Sequence, residues 1–273
     1  MLKMNRKGEI KMSVIYTPKG KAREYSPKAL NLYMGCSHEC KYCYAPNCIR
    51  KDKNDYFCIP TPRKNIVQQL ERQLQSEKIS SQVMLSFVGD CYCDSTDDNQ
   101  VTRDVLKVLL KNKVPVSILT KNPRKALRDI DIIKQFGKHI QVGTTLTFIK
   151  NKDSREWEPG APLPKNRVDA MQEIHNNGVK TFASFEPVII PEQSLSLMRY
   201  TSKYNIVDVY KIGKLNNYYG LDKKIDWESF LYKAVEIMRE NNNCFYIKKD
   251  LAYYDRKSIL NEKEIESDYY NVH

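Results

Sequence analysis

A chain of 273 residues, 41% hydrophobic and 29% charged, is long enough to bury one sizeable core and has the balance of an ordinary soluble protein. No apolar run reaches bilayer-spanning length, and the basic stretch over 1–28 lacks the apolar segment and small-residue cleavage site of a secretory signal, so a cytosolic chain is expected. The formal charge of +12, spread along the chain, attracts polyanions and makes nucleic acid a natural partner, although a lysine-rich solvated surface would carry the same charge.

In chain order, residues 1–26 read as a polar, extended lead-in. A short strand is expected over 29–34. A helix follows over 63–76, where Ile66, Val67, Leu70 and Leu74 fall at helical spacing. Strand 82–89, helix 102–112, strand 114–120, helix 124–136 and strand 140–148 come next. Helix 165–178 ends on Asn-Gly, a common stop. A strand begins at 179 within the stretch 179–190, and helix 191–204 opens on a proline. Strand 206–213, helix 227–242 and strand 244–249 complete the pattern.

Strands that alternate with helices and read as nearly continuous apolar runs imply a parallel sheet buried on both faces. About six β-α units fall short of a closed eight-fold barrel, so an α/β fold built as a partial, six-unit TIM-like barrel is expected, with an open doubly wound sheet as the alternative. Either places a site at the C-terminal ends of the strands. The expected division is an extension over 1–26, the barrel over 27–250 and a tail over 251–273, in a monomer.

Eight cysteines in a reducing compartment suit metal ligands, reactive thiols or buried thiols better than disulfides. Cys36, Cys40 and Cys43 lie within "GCSHECKYCYAP", directly after the first strand. A structural zinc site takes four ligands, usually from two cysteine pairs, and no convincing second pair follows, although His38 could complete a set. Three thiolates suit an iron–sulfur cluster with one iron left open for a small molecule, the mark of a catalytic centre.

The C-x3-C-x2-C spacing, with Tyr42 just before the third cysteine and a β-α array around it, resembles the radical S-adenosylmethionine (SAM) superfamily. "GCSHECKYCYA", "LSFVGDCYCD", "ILTKNPRKALRDIDII" and "EPGAPLPKNRVDAMQEIHNNGVKTFASFEPVI" are similar to its spore photoproduct lyase-like branch and to uncharacterised, often phage-encoded, relatives, over about residues 26–250. The resemblance implies a [4Fe–4S] cluster on Cys36, Cys40 and Cys43, whose open iron chelates SAM. It also implies an electron donor of flavodoxin or ferredoxin type, and reductive cleavage of SAM to a radical that abstracts hydrogen.

By the same resemblance Tyr42 contacts the adenine, Asp90 receives the SAM ammonium, Lys121 meets its carboxylate and Thr145 lies near the ribose. The register of "GTTLT" leaves open whether Thr144 or Thr145 points inward. Glu158, Arg167, Glu186 with Pro187, and Lys214 are placed to face a substrate, or are ordinary loop charges. Cys91 and Cys93 follow Asp90 at the barrel mouth. They are read as hydrogen donors, as ligands of a second cluster with Cys48 or Cys58, or as inert loop thiols. In the lyase the donor cysteine precedes the matching aspartate, where this chain has Phe87 and Val88. The expected function is therefore a radical SAM enzyme acting on nucleic acid or nucleotide, of lyase or transferase type. One alternative keeps the chemistry with a peptide or protein substrate, and another is a non-enzymatic, metal-stabilised nucleic-acid-binding module.

Overall fold

The structure, a computed structural model, describes residues 3–4, 10–11, 13–216 and 218–266. Its centre is a seven-stranded parallel sheet: β1 Lys28–Ala29, β2 Val83–Leu85, β3 Val116–Thr120, β4 Ile140–Thr145, β5 Lys180–Phe185, β6 Val209–Ile212 and β7 Cys244–Ile247. Strand order in space equals strand order in the chain. A doubly wound sheet would reverse that order, so the alternative is excluded. Right-handed crossovers in a sequential sheet put every connecting helix on one face. Those helices are α1 Ile66–Ser76, α2 Gln100–Lys111, α3 Pro164–Asn176, α4 Pro191–Lys203 and α5 Trp227–Glu240. The fold is a partial (β/α)6 barrel.

Two elements depart from their expected form. Of the stretch 29–34, only Ala29 stays in the sheet; Tyr33–Met34 leaves it to pair antiparallel with Thr61–Pro62. The apolar run "ALNLYM" fills two different buried surfaces, which hydrophobicity alone does not distinguish. The helix expected over 124–136 is a broken series of helical turns over 123–139, ending near Gly137 at φ +56°. Within it the buried Asp129 accepts hydrogen bonds from the Tyr92 hydroxyl at 2.9 Å and Arg103 Nη1 at 3.0 Å.

Register divides the strand residues between two cores. Val83, Leu85, Val116, Ile118, Ile140 and Val142 face the helices and join the larger core. Ala29, Met84, Phe182, Val209 and Tyr246 face the inside of the barrel. Gly143, between Leu119 and Phe182 in register, belongs to that inner face. A Cβ on Gly143 would fall 2.4 Å from the Phe182 ring, so only glycine lets the ring lie flat there. One layer further towards the C-terminal ends, Thr145, Ser184, Lys211 and Tyr246 align across β4 to β7.

The segments flanking the barrel pack onto it. Tyr16 exchanges two 2.9 Å backbone hydrogen bonds with Ala29, and Gln73 of α1 accepts from the N–H groups of Val14 and Ile15. At the other end Arg239 of α5 makes a bidentate pair with Glu264, in a short helix capped by Asn261. Among the described residues no helix is long and apolar enough to cross a membrane.

Candidate active site

The cysteine loop lies at the C-terminal rim, held from three sides. Gly35, at φ +95°, turns the chain where a Cβ would sit 3.0 Å from both Cys58 Sγ and the Tyr56 carbonyl. The Cys36 N–H donates to that same carbonyl at 3.1 Å, and Cys43 N–H closes a turn on the Cys40 carbonyl at 3.0 Å. The segment before α3 clamps the loop from above. Lys41 N–H donates to the Trp157 carbonyl at 2.9 Å, Gly160 N–H donates to the His38 carbonyl at 3.1 Å, and a Cβ on Gly160 would lie 2.0 Å from the Ser37 oxygen. From below, His38 Nε2 meets Asp90 Oδ2 at 3.0 Å. Asp90 also accepts from the N–H groups of Lys121 at 2.8 Å and Tyr92 at 2.9 Å. Burial would raise the pKa of Asp90, but His38 and these N–H groups hold it down at about 2. His38 is therefore a strut between the loop and the end of β2.

Cys36 and Cys40 are buried and Cys43 is partly exposed. Cys36 packs in one cluster with Cys93, and this neighbouring thiol together with burial raises its pKa well above the usual thiol value. Burial pushes Cys40 up to about 12 and also raises Cys43. The loop without metal therefore keeps protonated thiols, and a metal must displace the protons to bind. Among the described residues no three metal-ligating side chains converge on one point. The donor chemistry nonetheless fits a cluster with one open iron: three thiols on one eight-residue turn, fixed by backbone hydrogen bonds on either side. Cys93, its Sγ also 3.1 Å from the Asp90 carbonyl, lies against this loop, while Cys91 turns into the sheet–helix core with its Sγ 3.7 Å from the Leu85 carbonyl.

Beside the loop lies a buried charge network. Glu158 accepts from Tyr42 Oη and from Arg167 Nη2, and Lys121 Nζ stands 3.5 Å away and 5.3 Å from the Tyr42 ring centre. Arg167 also donates to the carbonyls of Thr145 at 3.0 Å and Pro162 at 2.7 Å. Burial opposes the Glu158 charge, but Arg167 and Lys121 bring its pKa to about 2. Two cations thus surround one carboxylate, leaving one positive charge in excess. Glu158 and Arg167, each readable from sequence as a loop charge, are 1% exposed and join the cysteine loop to β4. Thr145 shares the inner face with Ser184, and Thr144 faces the helices.

A second polar group lines the inside of the barrel. Tyr25 Oη donates to Glu186 at 2.8 Å and lies 2.7 Å from Ser184 Oγ. Lys248 Nζ pairs with Glu186 at 2.6 Å. Lys211 Nζ lies 4.5 Å from the Phe182 ring centre and 5.2 Å from that of Tyr25. Burial, with Lys180 and Lys248 nearby, lowers the Lys211 pKa to about 7. Of these residues, sequence reasoning picked out only Glu186. A lysine inside the apolar run "VDVYKIG" was the available signal for Lys211, whereas Tyr25 lies in a stretch that reads as lead-in. Lys214 stands on the outer rim, 5.2 Å from the ring centres of both Trp227 and Tyr254.

No family model matches the chain. An uncharacterized protein of Methanocaldococcus jannaschii is 32% identical over 161 residues, 59% of this chain and 60% of that protein's length. An uncharacterized protein of Acidianus two-tailed virus is 22% identical over 232 residues, covering 78% of this chain and 74% of its own length. Among solved structures, spore photoproduct lyase complexed with dinucleoside spore photoproduct superposes with a TM-score of 0.64 at 10% identity, over 85% of this chain and 78% of the lyase. Streptococcus suis SuiB bound to S-adenosylmethionine gives 0.62 at 14%, over 85% of this chain and 53% of SuiB. SuiB bound to its precursor peptide SuiA gives 0.61 at 18%, over 89% and 54%. The fold is a partial TIM-like barrel that superposes on those of spore photoproduct lyase and SuiB.

Proposed function

We propose that the protein is a radical SAM enzyme that abstracts hydrogen from a nucleic acid or nucleotide. The carrying observation is the three-thiol loop clamped on the C-terminal rim of a partial barrel, between Gly160 above and the His38–Asp90 pair below. Cys36, Cys40 and Cys43 would hold a [4Fe–4S] cluster. When bound, that cluster supplies one electron, from a flavodoxin- or ferredoxin-like donor, for the reductive cleavage of SAM.

The chain's own residues do the rest. Lys121, part of the network with one cation in excess over Glu158, balances the SAM carboxylate. Asp90, ordered by His38 and two N–H groups, sets a negative charge towards the SAM ammonium. Tyr42, fixed by Glu158, offers the loop's aromatic contact to adenine, and Thr145 turns a hydroxyl to the inner face. Of the two thiols after Asp90, Cys93 is the candidate hydrogen donor because it lies against the loop, whereas Cys91 packs in the core.

The test is anaerobic reconstitution followed by assays of iron, sulfide and 5′-deoxyadenosine. The reconstituted chain should bind iron and sulfide in equal amounts and release 5′-deoxyadenosine with SAM and dithionite. Cys40→Ala should lose both, and Cys48→Ala neither. Lys121→Ala should weaken SAM binding at unchanged iron. Equal iron loss in Cys48→Ala and Cys40→Ala would overturn the ligand assignment. Stimulation of cleavage by peptides and by no DNA or RNA would move the substrate to the peptide class.

A further inference from the structure

Outside the site described above, the rim between the N-terminal turn and the ends of β6 and β7 holds a cleft of about 710 Å³, lined by Gly20, Lys21, Arg23, Glu24, Lys214, Lys249, Asp250, Tyr253 and Tyr254. Four of these side chains are cationic and two are carboxylates, and both carboxylates already have donors. Asp250 Oδ2 takes Lys21 at 2.8 Å, and Glu24 takes the Tyr246 hydroxyl at 2.7 Å and the Lys249 N–H at 3.0 Å. Tyr253 is 85% exposed, its ring set edge-on against Tyr254. An aromatic face left in water beside cations is costly for a fold and useful for stacking.

A chain of contacts links the cleft to the cysteine loop. Asn216, which accepts from Lys21 at 2.5 Å, belongs to the loop after β6 that also carries Tyr218 and Tyr219. Tyr218 packs against Trp157 at 5.3 Å, and Trp157 holds the cysteine loop through its carbonyl.

We infer that this cleft binds a single-stranded nucleic acid segment, with a base stacked on Tyr253 and phosphates met by Arg23, Lys214 and Lys249. Two chemically different features match one ligand class: an exposed π face and a cluster of cations. An acidic peptide would satisfy only the cations. A duplex stacks its bases internally and offers none to Tyr253, so unpaired strands are preferred. The inference rests on the nucleic-acid reading above for its functional meaning, but strand binding is measured apart from the radical chemistry.

The experiment is fluorescence anisotropy of a labelled single-stranded oligonucleotide against the full chain, with a duplex of the same length as competitor. Uncoupled 5′-deoxyadenosine release is assayed separately. Tyr253→Ala should weaken single-strand binding by about 5- to 150-fold, the range for losing one stacked base, while Tyr253→Phe should retain it. Lys249→Gln should lower the log–log salt slope by about 0.7. Lys138→Gln, on the opposite rim, should weaken affinity far less than Lys249→Gln. Unchanged binding in Tyr253→Ala, or equal effects of Lys138→Gln and Lys249→Gln, would overturn the cleft assignment even if 5′-deoxyadenosine is released. Strand binding with this mutational pattern but without 5′-deoxyadenosine would uphold the cleft and overturn the radical reading alone.

Discussion

An ammonium packed between the rings of Tyr25 and Phe182 is taken out of water, and burial disfavours its charge. Lys180 on β5 and Lys248 after β7 add like charge, so Lys211 falls from the ordinary 10.5 to about 7. The sign follows from proton counts. Between about pH 7 and the unfolded value, the unfolded chain holds more protons on this group than the folded one, so its contribution to stability rises with pH. Below about 7 both states are protonated, and the full cost of burial remains. Lys211→Met should therefore stabilise the fold at pH 7 by about 1–4 kcal/mol, and by less at pH 9.5. Guanidinium unfolding of both proteins at the two pH values checks this, because the difference between them cancels the raised thiols and tyrosines common to both. A stability difference independent of pH would show that Lys211 is charged throughout. This residue was legible as an oddity in an apolar strand. Its partners were not, because Tyr25 and Lys248 approach it only once the barrel curls.

Between residue and molecule, the elements explain why the loop has one shape. The alternation of strands and helices was readable from apolar spacing, as was the placement of the cysteines after the first strand. The clamp was not readable, since the Gly160–Ser37 contact joins positions more than a hundred residues apart and leaves no periodic trace. A methyl on Gly160 meets backbone oxygen rather than a movable side-chain end, so Gly160→Ala should displace the loop. Expected is retention of the far-ultraviolet circular dichroism with a several-fold loss of reconstituted iron; full iron binding would show that the clamp is dispensable. The buried pair behind it acts on stability instead. Arg167→Met leaves Glu158 buried with only Lys121 as a counter-cation, at a cost of about 3–5 kcal/mol. The double change Glu158→Gln/Arg167→Met should cost clearly less in the same denaturation assay, because no uncompensated charge remains.

At the scale of the molecule, seven sequential strands leave a seam between β1 and β7, and unpaired strand edges invite mispairing. This chain covers the seam with residues that read from sequence as a polar lead-in. Tyr16 pairs with the free side of β1, and the turn Gly20–Glu24 crosses to β7, where one oxygen of Glu24 accepts from both the Tyr246 hydroxyl and the Lys249 N–H. Lys21 adds its ion pair to Asp250. These contacts join positions separated by 222 to 229 residues, which is why no local pattern announced them. Glu24→Ala removes the shared acceptor and leaves a tyrosine hydroxyl and a backbone N–H short of it, for a loss of about 1–3 kcal/mol. The distribution of the loss is more telling than its size. If the turn closes the seam, hydrogen exchange should quicken at β1 and β7 together, on opposite edges of one sheet, while β3 to β5 keep their protection. Faster exchange at β7 alone would make Glu24 a local cap. Uniform quickening across all seven strands would mean that Glu24 lowers global stability without a special role at the seam.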